Sequence, residues 1–257
     1  MLGAIAGDII GSRFEGHPAP PEDFELFHHA CRFTDDTVCS LAIASALLGN
    51  GDFAAELRRF VRRYPGAGYG CMFIGWATRD DAPAYGSWGN GAPMRVAAVG
   101  WLAQSEAEVL DLAAAQAAVS HDHPDAIAGA QAVALAIFLL RRGLSAEASR
   151  ARVAAEFGYD LAPEQASGGG GFDVSAKGTV PPAFTAALTA ENFEAAVRTA
   201  VCRGGDTDTL ACITGGIAEA RFGVPPAIAK STRAFLTPDL AAVLARFAAA
   251  VGDGARR

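Results

Sequence analysis

Hydrophobic positions recur with the 3.6-residue period of an α-helix along almost the whole chain, and no sustained alternating run lies between hairpin turns. After a first helix near the N-terminus, the pattern and its cap and stop residues predict helices over 34–48, 53–64, 105–116, 125–142, 146–157, 192–203, 207–222, 226–235 and 238–251. We therefore predict an all-α fold of about ten or more helices. No repeat or linker divides the chain, so we expect a single domain over residues 1–257.

Three glycines occupy one face of the predicted first helix. Gly3, Gly7 and Gly11 are four residues apart, the spacing that places positions one above another on a helix. Because glycine has no Cβ, this face lets a second backbone approach closely. We predict tight helix packing against it.

Two long stretches lack a helical pattern. They cover residues 79–91 and 158–182, and the second contains Ser167–Gly171, a serine followed by a run of glycines. Neither stretch carries a charge run, and both lie between helices of similar composition. We therefore interpret them as loops that border a site, not as domain linkers.

Composition and charge restrict the function. The chain has 257 residues, of which 51% are hydrophobic and 19% charged, enough for a packed core. Its formal net charge is −7, so a nucleic acid duplex or an anionic membrane would meet overall repulsion. An anionic small molecule would need a bound cation or converging backbone N–H groups to hold it.

Cysteine usage and the N-terminal sequence indicate a cytoplasmic protein. The five cysteines have no C-x-x-C spacing and lie in apolar or helical contexts, which predicts reduced core thiols at Cys31, Cys39, Cys71, Cys202 and Cys212. The opening residues lack a basic region and Asp8 interrupts the apolar run, so we expect neither a signal peptide nor a membrane span. We expect a monomer.

Two acidic clusters with hydroxyl neighbours lie at predicted helix starts, in Phe33–Thr37 and Arg203–Thr209. In a regular helix Asp206 and Asp208 would point about 200° apart, but the Gly204–Gly205 pair allows an irregular loop in which both converge. Carboxylate and hydroxyl oxygens are the ligands that Mg²⁺, Mn²⁺ or Ca²⁺ prefers. If the clusters meet, their four carboxylates imply compensating cations, and a dinuclear centre fits better than one ion. The alternative is that each cluster only caps its own helix.

The same residues belong to an ordered series of motifs that covers nearly the whole chain: Gly3–Gly11 with Glu15, Phe33–Thr37, Gly68–Gly70, Ser87–Arg95, His121 and Gly204–Thr209. In this series the sequence resembles the ADP-ribosylglycohydrolase family, which includes dinitrogenase reductase-activating glycohydrolase and the eukaryotic ADP-ribosylhydrolases. The resemblance implies an all-α orthogonal bundle that removes ADP-ribose from a modified side chain with the help of two divalent cations, Mg²⁺ or Mn²⁺.

The resemblance also implies roles for individual residues. The metal ligands would be Thr34, Asp35, Asp36, Asp206, Asp208 and Thr209. The substrate-binding residues would be Gly68, Gly70, Ser87, Trp88, Gly89, Asn90, Met94 and His121. Glu15 falls where some relatives place an acid near the metals and the scissile ribose, and Glu15 and Asp36 are the candidate catalytic bases, which the sequence does not rank.

The resemblance thus implies a metal-dependent hydrolase that cleaves the bond at the anomeric carbon of the ribose distal to adenine, through an oxocarbenium-like transition state. Its partner would be an ADP-ribosylated protein or another ADP-ribose conjugate. Arginine-linked ADP-ribose is our preferred substrate, and serine-linked and small-molecule ADP-ribose stay open. Two alternatives also stay open: a non-catalytic module that binds ADP-ribose, and another dinuclear-metal hydrolase such as a phosphoesterase.

Overall fold

The structure, a computed structural model, describes residues 1–166 and 171–254. Over these ranges the chain forms fourteen α-helices and no strand: α1 (Leu2–Gly11), α2 (Asp35–Leu47), α3 (Phe53–Arg63), α4 (Cys71–Ala77), α5 (Gly91–Met94), α6 (Ala97–Leu102), α7 (Glu106–Ala118), α8 (Pro124–Arg141), α9 (Ala146–Phe157), α10 (Ala176–Thr189), α11 (Phe193–Cys202), α12 (Thr207–Phe222), α13 (Pro226–Ala234) and α14 (Pro238–Gly254). The predicted all-α class is confirmed.

Several helices, α2 and α7 among them, begin at a residue whose side chain satisfies a free backbone N–H group. The Thr34 hydroxyl accepts from the backbone N–H of Asp36 at the start of α2, and the Ser105 hydroxyl accepts from that of Glu108 at the start of α7. The Glu108 carboxylate in turn accepts from the N–H of Gln104. The cap residues that the sequence displays therefore set the helix boundaries.

The sequence pattern missed four helices. Three of them, α4, α5 and α6, have four to seven residues, too few to establish a period. The fourth, α10, begins at Ala176 inside the stretch 158–182 that we predicted to be a loop. It continues through Pro181 and Pro182 although neither can donate a backbone hydrogen bond, because its other residues bury a continuous apolar face that includes Phe184.

The closest helix packing lies between α1 and α12. A Cβ on Gly7 would lie 1.9 Å from the carbonyl oxygen of Ala211, and one on Gly11 would lie 2.3 Å from that of Thr207. A Cβ on Gly3 would likewise lie 2.3 Å from the carbonyl oxygen of Gly215. The glycine face predicted for the first helix therefore lies directly on the backbone of α12.

A large apolar cluster surrounds this pair and takes buried side chains from α1 through α14. Helix α8 lies in it and packs against α7, α5, α6 and α12. By length and composition α8 is apolar enough to cross a membrane, yet 67% of it is buried inside the structure, as for the core helix of a globular domain.

All five cysteines are free thiols, but they are not all in the core. Cys31, Cys39 and Cys212 are buried as predicted, whereas Cys202 is partly exposed and Cys71 is exposed. Cys71 is the first residue of α4 and faces a cleft. The prediction of a core thiol at Cys71 was wrong because the flanking apolar residues Met72 and Phe73 line that cleft instead of extending the core.

Replacing Gly7 with alanine tests the α1–α12 contact. The new methyl group would overlap the Ala211 backbone, so we expect Gly7→Ala to lower the free energy of unfolding by at least about 3 kcal/mol. Gly75→Ala is the matched control, because Gly75 is an exposed residue inside α4 with nothing within 4 Å of its missing Cβ, and this change should leave stability equal or raised by about 0.5 kcal/mol. Urea unfolding measures both, and equal stabilities for the two variants would contradict the packing.

Candidate active site

A cleft of about 490 Å³ opens where the N-termini of α2 and α12 meet the two irregular segments. Its walls include all but one of the predicted site residues: Glu15, Asp35, Asp36, Gly68, Gly70, Ser87, Trp88, Gly89, Asn90, Met94, His121, Asp206, Asp208 and Thr209. Thr34 is the exception. It is buried beneath the floor, where its hydroxyl donates to Asp8 at 2.7 Å.

Asp8 holds the start of α2 in place. Its carboxylate accepts from the backbone N–H of Thr34 at 3.0 Å and of Thr37 at 3.1 Å, and from the hydroxyls of both residues. Asp8 is fully buried inside the otherwise apolar α1. One side chain of α1 therefore positions the helix turn that carries Asp35 and Asp36.

The second acidic cluster enters the same site from α12. Gly204 and Gly205 have φ angles of +74° and +81°, a region that favours glycine. This turn places Asp206 just before the helix and Asp208 in its first turn. The predicted irregular loop before α12 is therefore present.

The two clusters meet at the floor of the cleft. Carboxylate oxygens of Asp8, Asp36 and Asp208 lie within 4.8 Å of one another, and so do those of Glu15, Asp206 and Asp208. The alternative that each cluster caps a separate helix without meeting the other is therefore wrong. Asp208 belongs to both groups and joins them.

Burial and mutual repulsion raise the pKa values of these acids. Burial raises the pKa of Asp35 to about 8, and the charge of Asp8 adds to the effect. Burial is also the main cause that raises the pKa of Asp36 and of Asp208 well above the ordinary value, followed by the charges of Asp8 and of Asp36 respectively. The pKa of Glu15 is raised by burial and then by Asp206. In the absence of a cation the site therefore favours protonated carboxyls.

The donor set fits a hard divalent cation. Carboxylate oxygens form the floor, and the Thr209 hydroxyl lies 3.3 Å from one oxygen of Asp36. In the described part of the chain, no Lys or Arg forms an ion pair with Asp36, Asp206 or Asp208. The other Asp36 oxygen, Oδ1, is buried and lacks a hydrogen-bond partner. A buried carboxylate oxygen without a partner next to other acids is the arrangement that Mg²⁺ or Mn²⁺ would complete.

The two segments predicted to border a site form the upper wall. They meet in an antiparallel bridge between Gly89 and Ser175, in which the N–H of Asn90 donates to the carbonyl of Val174 at 2.8 Å. The Asn90 amide then donates to Asp206 at 2.7 Å and to the Thr179 hydroxyl at 3.1 Å. Of the glycine-rich run, Ser167 to Gly170 lie outside the described residues.

Apolar side chains surround the mouth of the cleft. Met72, Trp88, Phe172 and Val174 line it and are each exposed by 43% or more. Sequence reasoning identified only Trp88 among them. It also missed Asp8 as an organising residue, although a single acid inside an apolar helix was the available signal. It assigned no role to Tyr85 or to Arg95, the last residue of the Ser87–Arg95 motif, and both line the cleft.

The raised carboxyl pKa values predict a pH-dependent stability without divalent ions. Where the folded state holds protons that the unfolded chain has lost, stability falls as pH rises. We expect the free energy of unfolding, measured in EDTA, to decrease as the pH is raised from 6.5 to 8. In Asp35→Asn, which removes one of the titrating carboxyls, this decrease should be smaller by about 1 kcal/mol. Urea unfolding at both pH values measures this, and equal slopes for the two proteins would contradict it.

Removing one floor carboxylate tests the metal site. We expect Asp36→Asn and Asp208→Asn to keep their helical circular dichroism but to lose Mg²⁺ and Mn²⁺ affinity by more than the roughly 10- to 100-fold that is typical of outer-shell changes. Asp111→Asn is the control, because Asp111 is an exposed acid of α7 away from the cleft. Isothermal titration calorimetry measures the affinities, and unchanged binding in both floor variants would refute the site.

Comparison with known proteins agrees with the geometry. Residues 1–255 match the family model described as ADP-ribosylglycohydrolase. A solved structure described as an ADP-ribosylglycohydrolase-related protein complex superimposes with a TM-score of 0.74 and 26% sequence identity, over 94% of each chain.

Curated relatives carry the name ADP-ribosylhydrolase ARH3. The protein from Danio rerio is 25% identical over 87% of this chain and 82% of its own length, and the one from Homo sapiens is 26% identical over 87% and 84%. The match with the Xenopus tropicalis protein is 27% identical but covers 56% of this chain and 49% of the relative, about half the length of that protein.

Proposed function

The chain belongs to the ADP-ribosylglycohydrolase family, and from this membership we propose that it is a divalent-metal-dependent enzyme that hydrolyses the bond between ADP-ribose and an arginine side chain. The observation that carries the proposal is the convergence of Asp36, Asp206 and Asp208 with Glu15 on one cleft floor. In the described residues these acids form no ion pair with a basic side chain, so they are free to bind metal cations. Such cations could in turn contact the hydroxyls of a sugar.

Two cations are the number we propose, because the carboxylate oxygens form two overlapping groups and each group keeps at least two acids when Asp8 is left out. Asp8 accepts four hydrogen bonds from Thr34 and Thr37, so in this proposal it orients the others rather than binding an ion. When bound, the ions would hold the ribose hydroxyls and make a bound water more acidic.

The protein's own residues would bind the substrate and move the proton. Asp36 and Glu15 face the cleft and are the candidate bases that accept a proton from the attacking water. The raised pKa of Glu15 brings it closer to the working pH and makes it a better proton acceptor than an ordinary exposed carboxylate.

The loop around Asn90 is suited to the diphosphate. Gly89 and Gly91 line the cleft. The N–H groups of Gly89 and Asn90 already donate to Ser87 Oγ and to the Val174 carbonyl, so in this proposal the N–H of Gly91 is the one that would hold a phosphate oxygen without a basic side chain. Backbone N–H donors are useful here because the protein has a net charge of −7, which repels an anionic ligand. Trp88, exposed by 51% at the cleft mouth, offers an aromatic face for stacking.

The preference for arginine rests on charge. A guanidinium leaving group is cationic, whereas serine-linked and O-acetyl-linked leaving groups are neutral. The half-buried Glu15 beside Asp206 favours a cation at this end of the cleft. We further propose that the enzyme acts as a cytoplasmic monomer, in keeping with its five free thiols.

A panel of substrates tests the proposal. We expect release of intact ADP-ribose from an arginine-linked peptide at least about 10-fold faster than from serine-linked or O-acetyl-linked ADP-ribose, a difference of about 1.4 kcal/mol in transition-state free energy. EDTA should stop the reaction, and added Mg²⁺ or Mn²⁺ should restore it. Liquid chromatography with mass spectrometry identifies the products.

The controls separate the other functions. Asp111→Asn should retain full turnover, whereas Asp208→Asn should lose at least about 100-fold. Release of AMP or phosphate from ADP-ribose would indicate a phosphoesterase, and ADP-ribose binding without any product would indicate a binding module. Full activity in EDTA would contradict the metal dependence.

A further inference from the structure

A buried chain of polar groups starts in the cleft wall, which Arg95 and His121 help to line, and continues into the core. It consists of Arg95, Gln116, Ser120 and His121, which are all buried. Arg95 Nε donates to Gln116 Oε1 at 2.8 Å, and Arg95 Nη2 donates to the Gln116 carbonyl at 2.7 Å and to Ser120 Oγ at 3.1 Å. Ser120 Oγ lies 2.8 Å from His121 Nδ1.

Arg95 fixes the direction of these hydrogen bonds. A guanidinium has only donors and keeps its proton inside a protein, so Ser120 Oγ must accept from it. No carboxylate pairs with Arg95 in the described part of the chain. Its orientation is set by Gln116, whose amide donates to the carbonyls of Ala92 and Ala113 and therefore turns its oxygen toward Arg95.

Counting protons at Ser120 then determines the histidine tautomer. The hydroxyl has one proton, and the described contacts of Ser120 Oγ are with Arg95 and His121. If His121 Nδ1 carried a proton, it would donate to Oγ and leave the hydroxyl proton without an acceptor in a residue that is 0% exposed. If Nδ1 is unprotonated, the hydroxyl donates to it and every proton is used. The second arrangement is favoured.

The other ring nitrogen faces the cleft. A Cβ on Gly91 would lie 2.7 Å from His121 Nε2, so the absent side chain leaves room for this atom. No hydrogen bond to Nε2 is present among the described residues, although the ring lies in the cleft wall. Burial, followed by the charge of Arg95, lowers the pKa of His121 well below its ordinary value, which favours the neutral imidazole.

We propose that Arg95 and Ser120 are positioning residues that hold His121 in the Nε2–H tautomer, so that it presents a hydrogen-bond donor to an oxygen atom of the bound ligand. The proton arrangement follows from the protein alone, and the identification of the ligand as ADP-ribose rests on the proposed function. A neutral donor of this kind would contact a hydroxyl, carbonyl or phosphate oxygen without bringing a second positive charge next to Arg95.

Nuclear magnetic resonance of histidine-labelled protein tests the tautomer directly. In long-range ¹H–¹⁵N correlation spectra of the Mg²⁺-loaded protein, we expect His121 Nδ1 to resonate as an unprotonated nitrogen and Nε2 as a protonated one. His121→Gln assigns the signal by its loss. A wild-type spectrum that shows the proton on Nδ1 would overturn the inference. Because this measurement uses the wild-type protein, it does not depend on whether a variant folds.

Two serine variants test the role of the hydroxyl. Ser120→Ala should give averaged Nδ1 and Nε2 shifts as both tautomers become populated, and should weaken ADP-ribose binding by about 10-fold. Ser149→Ala is the matched control, because Ser149 in α9 is also 0% exposed but its hydroxyl has no hydrogen-bond partner and lies outside the cleft. It should change neither measurement.

The outcomes separate this inference from the function. An unchanged His121 tautomer in Ser120→Ala would overturn the inference even if the enzyme is active. Absence of ADP-ribose binding by the wild-type protein, with the expected tautomer present, would overturn the proposed function and leave the proton arrangement standing.

Discussion

The direct backbone contact between α1 and α12 is the constraint on which the site depends. Gly3, Gly7 and Gly11 allow the two helices to approach without side chains between them. At this separation the Thr207 hydroxyl donates to the carbonyl of Gly11 at 2.9 Å, which fixes the N-terminus of α12 beside the C-terminal half of α1. A single methyl group in this contact would move one acidic cluster away from the other.

The site concentrates charge that the rest of the fold must hold in place. Asp36 and Asp208 are almost fully buried near each other, an arrangement that opposes folding unless protons or cations compensate it. The hydrogen bonds of Asp8 to the start of α2 and the amide contact of Asn90 with Asp206 resist the outward movement that would relieve the repulsion. In the proposed metal site, the carboxylates whose repulsion lowers the stability of the ion-free fold are therefore the same groups that would bind the ions.

The sequence allowed prediction of features whose signal is local. Caps such as Thr34 and Ser105, the glycine spacing of α1 and the Gly204–Gly205 turn each depend on neighbouring residues and were found where predicted. Helix α10 was missed because its consecutive prolines and the preceding glycines carry the local signal of a loop, which tertiary burial overrides.

Features that depend on contacts between distant residues were not predictable from the residue pattern. Asp8 is one polar position in an apolar helix until the structure places Thr34 and Thr37 around it. The hydrogen bonds from Arg95 through Ser120 to His121 likewise join the residue after α5 to the segment after α7, and the spacing of these residues in the sequence does not predict the contact. That the two acidic clusters meet was an inference from charge and resemblance, and only the structure establishes it.

Asn90 connects the floor of the cleft to its upper wall. Both protons of its amide nitrogen are used within the protein, one toward Asp206 and one toward Thr179, so the amide oxygen is the atom left to meet a ligand. The same contact occupies Oδ2 of Asp206 and leaves Oδ1 for the ion proposed above. A shift of the amide would therefore move both its own oxygen and Asp206, so in the proposed enzyme an ion bound at Asp206 and a ligand bound at the Asn90 oxygen would each change the affinity for the other by the same factor.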